Sequence, residues 1–91
     1  MKNITDLEWF DENISHIARH QVKPEEVEQL CFSQDAMIEQ GRGENIYYLT
    51  GQTESGRYLF VVLRTLGRGR ARVITARDLE KNERSRYRKR R

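Results

Sequence analysis

The run YLFVVL at residues 58–63 constrains the fold of this chain more than any other stretch. Side chains along a strand alternate between two faces. Here both alternating sets, Tyr58/Phe60/Val62 and Leu59/Val61/Leu63, are apolar. Such a strand is expected at the centre of a sheet, covered on both faces. The cover must come from the rest of a 91-residue chain, which has room for one domain and a limited core. A hydrophobic content of 36% and a charged content of 34% are polar for a globular domain, but they are not the composition of a disordered chain. Residues 1–91 are therefore read as a single domain, with a basic tail at about 88–91 expected to fray.

The neighbours of that strand follow from local signals. NIYYLT (45–50) reads as a second strand, ARVITAR (71–77) as a third, and AMIEQ (36–40) as a short, weak fourth. ESG together with Gly51 supplies turn residues, and LGRGR (66–70) reads as a hairpin turn. Ahead of the strands, Asp11 can cap a helix over about residues 12–20, with Ile14, Ile17 and Ala18 on one face. Pro24 suits the first turn of a second helix, where Glu25 and Glu26 are favourable and Val27, Leu30 and Cys31 form an apolar stripe. Asp78 can cap a terminal helix from about Leu79 to Arg88. The expected fold is α+β: a small antiparallel sheet of three to four strands, two N-terminal helices and one C-terminal helix.

Charge is distributed unevenly. Residues 1–60 carry 5 Lys/Arg against 11 Asp/Glu, residues 61–91 carry 12 against 3, and the balances of −6 and +9 make up the net +3. An acidic front and a basic back suggest steering towards nucleic acid or an acidic protein. Arg70, Arg72 and Arg77 extend the basic patch from the terminal helix into the sheet, which favours an anion site over a merely solvated tail. The single Cys31 excludes an intrachain disulfide and a cysteine-based zinc site, and it is expected to be buried and inert. No phosphate-binding loop, dinucleotide fingerprint or HExxH motif occurs, so no cofactor or metal is implied. No signal-peptide pattern or membrane-length apolar run is present, and a cytoplasmic location without membrane contact is expected.

The terminal helix carries a constraint of its own. Leu79, Glu83 and Tyr87 stand four apart and share one face. Leu79 and Tyr87 would lay that face on the sheet, which carries Glu83 inward and calls for an arginine partner, Arg77 or Arg72. These residues lie within a wider likeness. WFDENISHIARHQVKPEEVEQLCF (9–32), LFVVLRTL (59–66) and RVITARDLEKNERSRY (72–87) share the order and spacing of features seen in the BrnT toxins, the ribonuclease component of a bacterial type II toxin–antitoxin pair. The chain resembles that family from about Trp9 to Tyr87, with Phe10 as one extra residue after the tryptophan. His16, Gln21, Thr75 and Asp78 depart from the family's Asn, Gly, Ser and Lys, and Leu63, Arg64 and Thr65 from its Tyr, Thr and Glu.

The resemblance implies a RelE-like fold, metal-free endoribonuclease activity on RNA, and neutralisation by a cognate, DNA-binding antitoxin, as a homodimer or a heterotetramer with it. It places His20, Arg72, Arg77, Glu83, Arg84 and Tyr87 on motif positions, and Arg42 on a variable loop. Catalytic candidates are His20, Arg77, Glu83, Arg84 and Tyr87. RNA-binding candidates are Arg42, Arg64, Arg70, Arg72, Arg86 and Arg88.

Metal-free RNA cleavage needs a base for the 2′-hydroxyl, an acid for the leaving oxygen and cations for the charged phosphorane. Arginine suits the last role because its planar fork grips phosphate. Arg72 and Arg77 differ by an odd number, so a regular strand would face them in opposite directions unless a bulge intervenes. Arg77, beside Glu83 and Arg84, is the stronger candidate. The base could be His20, His16 or Glu83. Each also has a structural role open to it: His20 as a helix-end residue, His16 as a packing or surface residue, Glu83 as the ion-pair partner of Arg77, Tyr87 and Trp9 as core residues, and Arg86 to Arg91 as a solvated tail. The alternative function is a catalytically inactive nucleic-acid-binding or protein-interaction module that uses the same basic face.

Overall fold

A computed structural model describes residues 4–90, apart from the side chain of Arg90. Its elements run β1 (Asp6–Glu8), α1 (Asp11–Ala18), α2 (Pro24–Cys31), β2 (Met37–Gln40), β3 (Ile46–Gln52), β4 (Tyr58–Gly67), β5 (Arg70–Asp78) and α3 (Lys81–Arg90). The sheet has five strands in the order β1-β5-β4-β3-β2. The class is α+β, but the sheet is larger than expected and mixed. β2 to β5 form the antiparallel meander, whereas β1 adds in parallel to β5. β1 escaped notice because three residues of mixed polarity carry no periodic signal. Leu7 alone faces the core, between exposed Asp6 and half-buried Glu8.

β4 lies at the centre of the sheet, as its doubly apolar sequence requires. Its cover is unequal. Leu59, Val61 and Leu63 have no exposure and pack with Ile17 of α1 and Val27 and Leu30 of α2. Each such side chain contributes about 1.5–3 kcal/mol by leaving water. On the other face Tyr58, Phe60 and Val62 are only half-buried. The expected double cover is therefore partial, because both N-terminal helices pack on one face and α3 reaches only one end of the other. The uncovered remainder of that face is where the strand arginines lie.

Local chemistry explains the element boundaries. α1 starts at Asp11, so Asp11 is in its first turn and does not cap it. Asn13 does the capping work: its Oδ1 accepts the Phe10 N–H at 2.7 Å, and its Nδ2 donates to the Glu8 carbonyl at 2.9 Å. The helix stops at Ala18 and the chain turns through Gln21 at φ 61°. Pro24 opens α2 as its fixed φ favours, and Glu26 accepts the Lys23 N–H at 3.0 Å.

Gly51 is a buried residue within β3, not a turn residue. A Cβ there would stand 3.1 Å from Leu30 Cγ and 3.2 Å from Ala36 Cβ, so the glycine serves close approach of α2 to the sheet. The β4–β5 hairpin turns on Gly67, Arg68 and Gly69 at φ 89°, 57° and 78°, as the LGRGR sequence suggests. α3 begins two residues after the expected Leu79, because Asp78 still belongs to β5 and its carboxylate is held by Arg57. Glu83 accepts the Glu80 N–H at 2.8 Å at the actual helix start. α3 continues to Arg90, and residue 91 of the expected tail lies outside the described residues. No described helix is long and apolar enough to cross a membrane.

Candidate active site

The arrangement of the strand arginines rests on one irregularity. Along β4–β5, Leu63 faces Val73 and Val62 faces Thr75, so Ile74 is an extra residue in β5. This bulge reverses the parity of everything after it. Arg72 lies opposite Arg64 and Arg77 opposite Phe60. Arg64 and Phe60 are an even number apart on β4, so Arg72 and Arg77 share one face of the sheet. On a regular strand they would not. Ala71, Val73 and Ala76 fill the core face, while Ile74 is 39% exposed.

Arg77 is held from three directions. Its Nη1 and Nη2 donate to Glu83 Oε1 and Oε2 at 2.8 and 3.0 Å, and Nη1 also donates to the Asp78 carbonyl at 3.0 Å. Its guanidinium carbon lies 4.7 Å from the centroid of the Phe60 ring. Glu83 reaches it because Leu79 and Tyr87, both buried, seat that side of the C-terminal segment on the sheet. The hydrogen bonds from Arg77 hold the Glu83 carboxyl down at about 2, against burial that opposes them, with the Glu80 N–H assisting. A carboxylate that acidic is an ion at neutral pH and a poor proton acceptor there. Glu83 is thus shaped to position Arg77 and is ill suited as a base in this geometry. The fork of Arg77 is engaged by Glu83, so a phosphate would meet its remaining N–H groups.

His20 comes to the same place by another route. It follows α1, in the turn between the two N-terminal helices, and Arg57 holds that turn. Arg57 Nη2 donates to the His20 carbonyl at 3.1 Å and Nη1 to the Gln21 carbonyl at 2.6 Å. The same guanidinium donates through Nε to Asp78 Oδ1 at 2.7 Å and through Nη1 to Glu26 Oε1 at 3.0 Å. Its hydrogen bond to Asp78 holds that carboxyl below the usual carboxylate range. One residue just before β4 therefore ties the His20 turn to α2 and to the end of β5. His20, Arg19 and Gln21 line a shallow surface depression of about 300 Å³ together with Arg77, Asp78 and Glu80. The His16 ring stands edge-on to the His20 ring at 6.4 Å.

The other sequence candidates lie elsewhere. Arg84 and Arg88 stand over the Tyr58 ring at 5.7 and 5.5 Å from its centroid, and Arg88 Nε donates to the Tyr58 hydroxyl at 3.3 Å. Tyr87 is 3% exposed, meets Tyr58 edge-on at 6.0 Å and donates to the Asp35 carbonyl at 3.2 Å, which is a packing arrangement. Arg70 and Arg72 both pair with Glu8 on β1, the latter at 3.2 Å, and Arg72 also stacks 5.4 Å from the ring centroid of Phe10, the extra residue after Trp9. Arg64 is exposed beside Arg72 and makes no ion pair among the described residues. Arg42 is exposed in the β2–β3 turn, and its backbone N–H donates to the Tyr48 hydroxyl at 3.3 Å. Arg86 is exposed on α3. Cys31 is half-buried, with its thiol pushed up to about 12 by burial and by Glu28. Trp9 packs against the core and donates to Glu28 at 3.0 Å. No group of three or more His, Cys, Asp or Glu among the described residues could hold a metal ion.

Arg57, Glu8 and Tyr58 are the organising residues that sequence reasoning missed. Their partners lie 21 to 64 residues away, and no local pattern links them. The fold thus joins His20, Arg77 and Glu83 into one cluster. It sets Arg64, Arg70 and Arg72 at the other end of the same sheet, and Arg84 and Arg88 on Tyr58.

Two comparisons bear on identity. A search of curated proteins returns no match. Residues 9–83 match the family model described as the ribonuclease toxin, BrnT, of type II toxin–antitoxin systems. The matched stretch contains His20, Arg57, Arg77 and Glu83 and ends before Arg84. With most of its length matched, the chain belongs to the BrnT family of type II toxin–antitoxin ribonuclease toxins.

Proposed function

We propose that this protein is a cytoplasmic, RelE-like endoribonuclease toxin that cleaves RNA without metal and is neutralised by a cognate, DNA-binding antitoxin, as a homodimer or a heterotetramer with it. The observation that carries the reading is the junction of His20 and Arg77 in one surface depression, with Glu83 holding Arg77 in place. His20 takes the proton of the ribose 2′-hydroxyl. The 2′-oxygen then bonds to phosphorus as the bond to the 5′-oxygen breaks. The leaving oxygen takes a proton from water, His20 returns its proton to solvent, and the products are a 2′,3′-cyclic phosphate and a 5′-hydroxyl. Arg77 offers its remaining N–H groups to the phosphorane, where preorganised positive charge is worth most. Arg64, Arg70 and Arg72 follow the backbone along the sheet, and Arg42, Arg84, Arg86 and Arg88 add sequence-independent attraction.

A second reading has its own support. With the Arg77 fork engaged by Glu83, and Asp78 and Glu80 beside His20, the basic face would serve as an inactive binding module. One experiment separates the two: incubation of a mixed RNA substrate with EDTA present, comparing wild type with His20→Ala, Arg77→Ala and Arg84→Ala proteins shown to be folded. Cleavage by wild type, lost with His20→Ala and Arg77→Ala, is the expected result. Salt-sensitive RNA binding without cleavage would favour the binding module and sink the ribonuclease.

A further inference from the structure

Among the described residues, Phe10, Phe32 and Ile74 are the large apolar side chains exposed to water. Two of them belong with Arg72, at the end of the sheet away from Arg77. The Arg72 guanidinium carbon lies 5.4 Å from the centroid of the Phe10 ring, and Ile74 follows two residues later, at the bulge. Neither burial nor capping accounts for Phe10. It is 48% exposed, so packing does not require it. It occupies the N-cap of α1, a position that favours Ser, Thr, Asp or Asn because their side-chain oxygens accept N–H bonds there. Phenylalanine has no such oxygen, and Asn13 accepts the Phe10 N–H at 2.7 Å instead. That bond fixes the backbone that carries the ring.

The surroundings of the ring are cationic. Arg72 lies between Arg64 on β4 and Glu8 on β1. Glu8 pairs with Arg72 and with Arg70. Arg64 is exposed, makes no ion pair among the described residues, and is the free cation of that row. A half-exposed aromatic ring beside a guanidinium plane and an unpaired cation suits single-stranded nucleic acid. Bases stack on the ring and the plane, and a phosphate meets the cation. A protein partner fits less well, because its contact needs a desolvated apolar centre. One phenylalanine and one isoleucine among arginines are too little for that.

We propose that Phe10, with the Arg72 guanidinium beside it, is a stacking platform for one base of the RNA strand, with Arg64 on a neighbouring phosphate. The inference rests on the ribonuclease reading for its ligand. Arg64 and Phe60, which faces Arg77, are four residues apart on β4, so the platform lies about 13 Å along the sheet from Arg77. At a stacked spacing of about 3.4 Å, that is about four nucleotides from the cleaved phosphate, and fewer in an extended strand. Every base has a face to stack, so the platform adds affinity and sets a minimum substrate length without choosing sequence.

The test separates stacking from cleavage. A short, labelled 2′-O-methyl RNA strand, which lacks the attacking hydroxyl and cannot be cut, is titrated with protein in fluorescence anisotropy. An abasic strand with the same backbone is titrated alongside. Phe10→Leu, shown to be folded, keeps an apolar side chain and removes the ring face. It is expected to lower affinity for the base-bearing strand about tenfold, the lower end of one base–aromatic stack. Its affinity for the abasic strand and its salt slope should match wild type, since no phosphate contact is lost. Phe10→Trp should bind the base-bearing strand at least as tightly as wild type. Unchanged affinity in Phe10→Leu, or an equal loss on both strands, would overturn the proposal. Cleavage of an unmodified mixed RNA is followed in parallel. Cutting by wild type, with strand affinity unchanged in Phe10→Leu, removes the platform and leaves the ribonuclease. Ring-dependent binding without cutting keeps the platform and removes the ribonuclease.

Discussion

Replacing Glu83 with Gln tests the central ion pair and has a defined pH signature. Arg77 holds the Glu83 carboxyl at about 2 instead of 4.5, which corresponds to at most about 3 kcal/mol. The two side chains are 35% and 20% exposed, so solvent screening reduces that to about 1–2 kcal/mol. The folded-state value is depressed. The stabilisation is therefore fully present above about pH 4.5 and is lost as pH falls towards 2. Urea unfolding followed through the single Trp9, which packs against the core, should show Glu83→Gln less stable than wild type by about 1–2 kcal/mol at pH 7. The gap should narrow steadily below pH 4.5. A double-mutant cycle with Arg77→Met should return a coupling of similar size. A gap that is absent, or the same at pH 7 and pH 3, would refute the assignment of Glu83 as the group that fixes Arg77.

Three further outcomes are expected. Arg57→Ala should lower the melting temperature by about 4–8 °C, as loss of ~1 kcal/mol does in a domain of this size, and Arg57→Lys should recover only part, because an ammonium lacks the planar fork that reaches Asp78, Glu26 and two carbonyls together; calorimetry decides. Arg64→Ala should reduce the slope of log affinity for single-stranded RNA against log salt by about 0.7, the value for one phosphate contact, and an unchanged slope in fluorescence anisotropy would remove Arg64 from the RNA path. Cys31, its thiol pushed up to about 12, should resist iodoacetamide at pH 8 until the protein is unfolded, and rapid modification of the native protein, read by mass spectrometry, would contradict the burial described for it.

Much of the site was legible because its members carry local signals. Leu79, Glu83 and Tyr87 at four-residue spacing predict the seating of the C-terminal segment and the need for an arginine, Arg77 or Arg72, of which the structure pairs Arg77 with Glu83. The same spacing says nothing of where α3 starts. Asp78 reads as a cap from its type, yet Arg57, 21 residues earlier, claims its carboxylate. Asp11 likewise reads as a cap, but Asn13 takes that role because it can also reach carbonyls on β1 and β5. Tyr87 stands on a motif position, and burial against Tyr58 turns it into a packing residue.

Sequence alone determined that this chain has a central apolar strand, helices before it, a hairpin at LGRGR and a concentration of positive charge from residue 61 onward. Those properties follow from hydrophobic periodicity and residue chemistry over a few positions, and they hold whatever the strand order. Tertiary structure decided which charges act together. A bulge at Ile74 turns Arg72 and Arg77 to one face, Arg57 brings the His20 turn to the end of β5, and Glu8 on an unforeseen parallel strand claims Arg70 and Arg72. Register and long-range pairing depend on the balance of packing across the whole sheet, so no short window of sequence contains them.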